Sequence, residues 1–314
     1  MRLDSARMSQ STLSSLSILS PGQTMRLDSY PRMSPYGCIA AKFYYMVEEH
    51  RQPGNKPRPV WRSVAVPAEH GGWGLTAEAV LLGLLIRPSI AGVAIGLAAI
   101  LAFLTRTPLK LAMVDRRRHR RLERSVLAER VAGIELALLI VMISVAALYG
   151  QEDWWILLIG AIPFFVIELS FDIRSRGRRL IPELSGALGM GAVATSIAIS
   201  GNEPIHVSIG LWIILGARAI ASVPFARTQV RRMKNQPDSR LVADILQPVA
   251  VIVAITGWAL NWTPWLGVLA ILLLGLWNLV EMRRPVHSAK QVGLLQSAAG
   301  LIVVIMTAIG VHIM

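Results

Sequence analysis

The chain has 314 residues, 54% of them hydrophobic and only 16% charged, with a mean hydropathy of +0.52. A soluble globular domain carries about 25% charged residues, so the composition argues against a water-solvated fold. The formal net charge of +13 does not imply a nucleic-acid partner, because Lys and Arg gather in the cytoplasmic loops of membrane proteins whatever their function. Cys38 is the sole cysteine and the six histidines are scattered, which excludes a disulfide framework and a cysteine- or histidine-based metal site.

Residues 1–66 form a zone of their own. Met1-Arg-Leu-Asp-Ser recurs at Met25-Arg-Leu-Asp-Ser, and the stretch is rich in Ser, Pro and Arg without a sustained helical or strand period. Disorder is the expectation. The Ser-Leu-Ser-Ile-Leu run near 15–19 is too short and polar for a signal-peptide core. Residues 67–314 form the second zone, an all-α, polytopic membrane helix bundle. Spanning the hydrocarbon core takes about 20 apolar residues in a helix. Nine such runs are predicted near 67–86, 88–105, 131–149, 154–171, 181–200, 205–225, 242–260, 263–281 and 292–313. Gly71, Gly72 and Gly74 interrupt the first, and only Arg87-Pro88 separates it from the second, so eight spans is the alternative count.

Charge asymmetry gives an independent orientation. Of the 32 Lys and Arg residues, 30 lie in residues 1–66 or in the loops after the second, fourth, sixth and eighth spans; the other two are Arg87 and Arg218. The positive-inside rule then places the N-terminus and those loops in the cytoplasm. Trp154, Trp155, Trp262 and Trp265 fall at the opposite interface. Gly92 and Gly96, and the interleaved pairs Ser185/Gly189 and Ala187/Gly191, provide small-xxx-small surfaces for helix contact.

Ionisable residues within spans are costly and mark candidate sites. Glu69 and His70, ahead of three flexible glycines, suit proton handling as catalytic residues; a proline-led helix start with an acid against its dipole is the alternative. Glu168 and Asp172 lie four apart on one helical face and suit a shared divalent cation. They equally suit pairing with Arg174, Arg176 or Arg218. Glu183 is positioned to answer Arg218 or Arg179. Two span exits place proline beside a basic residue, at Phe103-Leu-Thr-Arg-Thr-Pro-Leu-Lys110 and Ser222-Val-Pro-Phe-Ala-Arg227. Arg106, Lys110, Arg218 and Arg227 are therefore candidates for holding the phosphate of an amphiphile, because guanidinium meets phosphate oxygens bidentately. These acids, with Asp244 and Glu281, fall at inner ends of spans, which predicts a cytoplasm-facing polar cavity beneath a sealed, apolar outer half.

The opening Pro67-Ala-Glu-His-Gly-Gly-Trp-Gly74 resembles the start of the YwiC-like membrane proteins of bacteria. Arg106-Thr-Pro-Leu109, Arg179-Leu-Ile-Pro-Glu-Leu-Ser-Gly186, Val223-Pro-Phe-Ala-Arg227 and Lys290-Gln-Val-Gly293 fit the same pattern, over about residues 64–313. That resemblance implies membrane location and no particular reaction. A more distant likeness is to the UbiA superfamily of intramembrane prenyltransferases, which are nine-helix bundles with Asp-rich, magnesium-binding loops after the second and sixth helices. Here the span count and loop positions agree, while Arg106, Lys110 and Arg227 stand where the Asp-rich motifs would be, so metal-assisted ionisation is not implied.

Three functions follow from these residues: binding of an isoprenoid or lipid phosphate in a UbiA-like bundle, an accessory role beside a membrane-protein partner, or transport of a small anion past Arg218. No cofactor is specified. A start codon placed upstream of the natural one would also generate residues 1–66. The mass of the natively expressed protein tests this: a chain starting near residue 60 removes the first zone, and a full-length chain retains it.

Overall fold

The structure is a computed structural model that describes residues 70–117, 123–151, 153–174, 179–237 and 240–314, with His70 described in its backbone alone. The expected zone 1–66, and Glu69 with it, lies outside the described residues. Those residues form nine helices and no strand: α1 (His70–Ile86), α2 (Ile90–Arg117), α3 (Glu123–Tyr149), α4 (Ile156–Ile173), α5 (Leu180–Ser200), α6 (Ile205–Met233), α7 (Arg240–Ala259), α8 (Trp265–Glu281) and α9 (Ala289–His312). In lipid every backbone amide must be satisfied within the segment, which leaves helices as the solution for these apolar runs.

All nine predicted spans correspond to helices, and the first two are separate, broken by Arg87-Pro88-Ser89. Seven helices, α2 to α7 and α9, are long and apolar enough to cross a membrane; α1 and α8 are apolar but shorter. At 17 residues each, these two extend about 25 Å, close to the hydrocarbon thickness. Local chemistry sets the ends. Asn202, Asn235 and Asn261 take positive φ just past α5, α6 and α7, the left-handed stop that Asn tolerates better than most residues. Ser288 caps α9 through a reciprocal capping box with Gln291.

Three helices run further than expected: α3 starts at Glu123 rather than near 131, and two others pass their predicted exits. The spans predicted to exit near 105 and 225 continue as helix through Pro108 to Arg117 and through Pro224 to Met233. A proline costs one ladder hydrogen bond and bends the helix rather than ending it. Arg106, Lys110 and Arg227 are therefore helical residues rather than loop residues.

Consecutive helices run up and down, which sorts the loops into two ends. At the short-loop end Arg87 pairs with Glu203, and Ser89 meets Ser200 at 3.4 Å. At the other, basic end Arg232 donates to the carbonyls of Met282 and Arg284. Helices α5 and α6 are central, with 67% of their apolar windows buried against 11% for α3 and α4. Helix α5 packs on α1, α2, α4 and α6, while α6 packs on α7, α8 and α9 as well. The small residues mediate this: Gly92 and Gly96 receive Ile197 of α5, Gly189 receives Phe164 and Phe165 of α4, and Gly191 receives Trp212 of α6. Trp155 and Trp265 are exposed as interface residues would be, but Trp154 is buried in the bundle core against the Gly150 turn.

The tightest loop contact is at Gly210, where a Cβ would run into the backbone of Trp262. Gly210→Ala is expected to lower the thermal stability of the detergent-solubilised protein, by about 1–3 kcal/mol for overpacking against an unyielding backbone. Gly133→Ala, which meets nothing within 4 Å, serves as the neutral control.

Candidate functional site

The costliest residues for a lipid-embedded bundle are Glu78 and Arg218, each in mid-helix and each buried to a relative exposure of 6% and 3%. They neutralise one another. Arg218 Nη2 donates to Glu78 Oε1 at 2.9 Å and to the Gln296 backbone carbonyl at 2.8 Å, joining α6 to α1 and α9. Gly300 makes the junction possible, because a Cβ there would overlap the Glu78 carboxylate and the guanidinium.

A line of amides continues from the pair. Gln296 donates to Asn278 Oδ1 at 2.9 Å, and Asn278 donates to Gln247 Oε1 at 3.1 Å. Gln247 in turn donates to the carbonyls of Ala221 and Ala243, both at 2.9 Å. Pro224 and Pro248 disturb the ladders of α6 and α7 beside this chain. The network is tightly buried yet incompletely satisfied: Glu78 Oε2, Arg218 Nε, Gln296 Oε1 and Ser222 Oγ have no hydrogen-bonding partner in the protein.

A second polar centre lies at the basic end. Arg106 contacts Glu168 at 2.7 Å and Asp172 at 2.9 Å, and Lys110 contacts Asp172 at 3.0 Å. These contacts tie α2 to α4. Arg227 of α6 contacts Glu183 of α5 at 3.0 Å. The two groups adjoin, because the Glu168 side chain lies against Gly186, one turn from Glu183. Asp172 is 2% exposed in its side chain, whereas the cations remain reachable: Arg106 is 26%, Lys110 36% and Arg227 23% exposed.

The predicted site residues thus divide. Arg106, Lys110, Arg227, Glu168, Asp172 and Glu183 share the basic end. Arg218 does not join them: it lies nine positions before Arg227, about 13 Å along the helix, and its acid is Glu78 rather than the expected Glu183. Asp172 pairs with Arg106 and Lys110; Arg176, one of its expected partners, lies outside the described residues. Glu69 and the side chain of His70 lie outside the described residues. Asp244 pairs with Arg283, and Glu281 with His287 and Arg284, as separate groups. An apolar groove of about 570 Å³ opens at the short-loop end, between Ile90, Val93 and Leu97 of α2 and Met142 and Val145 of α3.

Sequence reasoning missed Glu78, Glu135 and the amide chain. Glu135 of α3 sits against the Thr105 hydroxyl of α2. An acid inside each apolar run was the available signal. The half of the bundle toward the short-loop end is also less apolar than expected, since Thr195, Ser196, Ser208 and Thr307 are fully buried there without hydrogen-bonding partners. Among the described residues no group of three or more His, Cys, Asp or Glu is arranged to hold a metal ion.

Fold and site together define a multi-pass helical membrane protein with paired intramembrane charges. Residues 66–198 match the family model described as YwiC-like protein, which covers α1 to nearly all of α5. The Pro67–Gly74, Arg106–Leu109 and Arg179–Gly186 motifs fall inside that match, and the two later motifs fall beyond it. No curated protein and no solved structure matches the chain. None of these comparisons supports the UbiA likeness.

Removing one partner of a buried ion pair leaves an uncompensated charge, at a cost of about 3–5 kcal/mol. Glu78→Leu and Arg218→Leu are each expected to lower the melting temperature in detergent sharply. The double variant is expected to recover most of the loss, read as a double-mutant cycle on thermal unfolding.

Proposed function

We propose that the protein binds the phosphate of a membrane amphiphile, an isoprenoid or lipid phosphate, at its basic end, and that this end faces the cytoplasm. The observation carrying the reading is the convergence of Arg106, Lys110 and Arg227 from α2 and α6 at one end of the bundle, each partly exposed. The adjoining α4 is almost wholly unburied along its apolar length, which suits a hydrocarbon tail lying beside the headgroup. Guanidinium and ammonium groups so placed match phosphate oxygens without a metal. Glu168 and Asp172 offer a metal pair as well, and magnesium then competes with Arg106 and Lys110 for them.

A specific observation favours a second reading. Each of these cations already has a carboxylate partner, as expected if the charges only fasten helices together in a non-catalytic accessory subunit. For the anion-transport reading, Arg218 is likewise already neutralised by Glu78.

Melting of the purified protein in detergent, titrated with prenyl diphosphates and phospholipids with and without magnesium, separates the readings. A ligand that binds only the folded state raises the melting temperature by mass action, about 2.7 kcal/mol at a hundred times its Kd. The phosphate site predicts a saturable rise that Arg106→Gln and Arg227→Gln weaken and Arg283→Gln, at the separate Asp244 pair, leaves unchanged. Absence of any shift in cooperatively melting protein supports the accessory role.

A further inference from the structure

We infer that the seam between α2 and α3 binds a lipophilic cation, a long-chain primary ammonium, with its charge on Glu135 and its chain in the apolar groove of the same seam. Glu135 stands apart from the other acids placed in spans. Glu78 pairs with Arg218, Glu168 and Asp172 with Arg106, and Glu183 with Arg227. Glu135 forms no ion pair with any described residue, and its Oε2 is buried without a hydrogen-bonding partner.

The one group against this carboxyl is the Thr105 hydroxyl of α2. A hydroxyl has a single proton to give, and Thr105 Oγ1 donates it to the Leu101 carbonyl at 2.8 Å. What Thr105 then offers Glu135 is a lone pair. Two acceptors that face each other inside the hydrocarbon call for a donor, and beside a carboxylate they call for a cationic one. A primary ammonium carries three N–H donors, enough for both carboxylate oxygens and the hydroxyl together. Arg106, the next residue of α2, does not supply the charge, because it is turned to Glu168 and Asp172 of α4.

The groove gives the ligand its apolar part. Helices α2 and α3 are antiparallel and hold one register along their length: Asp115 meets Ser125, Thr105 meets Glu135, and Ala91 meets Gly150. Ala94 and Leu97 of α2, with Met142 and Val145 of α3, line the groove of about 570 Å³. At 3.6 residues per turn, Ala94 and Leu97 fall within about 80° of Thr105 around α2, and Met142 and Val145 within about 80° of Glu135 around α3. Carboxyl and groove therefore share the faces that the two helices turn toward each other. Leu97 lies eight positions from Thr105, about 12 Å along the helix. The half-buried Leu101 and Leu139 fall between. Helix α3 packs chiefly on α2, so a ligand enters this seam sideways from the bilayer. The site is separate from the basic-end cations and selects the opposite charge.

The experiment titrates the full-length protein, in a mild non-ionic detergent, with dodecylammonium, dodecyltrimethylammonium, dodecanol and hexylammonium. Melting temperature and ligand retention in native mass spectrometry are the readouts. Dodecylammonium is expected to raise the melting temperature saturably, as a ligand of the folded state does. Glu135→Gln keeps the side-chain shape and is expected to raise the half-maximal concentration by roughly tenfold. Leu97→Trp, which fills the groove, is expected to weaken binding as well, and hexylammonium, whose chain ends short of Leu97, to give no protection. Equal protection by dodecanol, or dodecylammonium protection that Glu135→Gln leaves unchanged, means that the acid keeps its own proton and overturns the inference. Equal protection by dodecyltrimethylammonium overturns the primary ammonium as the ligand class, and equal protection by hexylammonium overturns the groove as the chain's site. No protection by any of these compounds, in cooperatively melting protein, overturns the site altogether. Should Glu135→Gln fail to fold, Leu97→Trp and the comparison of the two chain lengths decide in its place.

Discussion

The contact between Glu78 and Arg218 constrains the whole bundle. A charge alone in hydrocarbon is too costly to keep, so α1 and α6 must bring these side chains together although 140 residues separate them. The demand spreads outward from there. Helix α9 must approach closely enough to offer the Gln296 carbonyl, which leaves room only for glycine at position 300. The same helix then carries the amide chain to α8 and α7. Helices α1 and α9 are thereby locked against α6, by a polar contact that lipid cannot replace.

The same logic recurs at the basic end on different terms. Arg106, Lys110 and Arg227 have carboxylates within contact distance, but they retain access to the surroundings, where the core pair has none. An interaction buried on all sides stabilises a fold; one that is close-packed on one side and open on the other can exchange partners. That difference in exposure separates the core pair from the basic-end cluster, on which the proposed binding rests.

Helix number and position were legible because apolar length is a strong signal, and the helices fall within a few residues of the predicted spans in most cases. Positions 105 and 225 misled because polar residues begin there while the helix continues; composition marks where lipid ends, whereas hydrogen bonding marks where the helix ends. Partner assignment was not legible. Arg218 was recognisable as an Arg inside a span, but an arginine can reach any of several helices, and Glu183 was one of several acids within spans. Glu78 was visible as an acid inside the first apolar run, but nothing in the sequence named Arg218 as its partner. Gln247, Asn278 and Gln296 are uncharged and carried no warning, and only packing shows that they touch. By contrast Glu168, Asp172, Arg106 and Lys110 were each visible as candidates, since charges at the ends of spans stand out against apolar neighbours.

The junction of α1 with α9 is open to a direct geometric measurement. A Cβ on Gly74 would lie 3.4 Å from the Ser297 hydroxyl, within the separation a disulfide spans. With Cys38 replaced by serine, the Gly74→Cys/Ser297→Cys protein is predicted to form an intramolecular crosslink on mild oxidation in native membranes, and neither single variant should do so. If that pair stays reduced while Ser89→Cys/Ser200→Cys, a pair in contact at the opposite end, crosslinks under the same conditions, α1 does not lie against α9. The Glu78–Arg218–Gln296 junction would then be wrong.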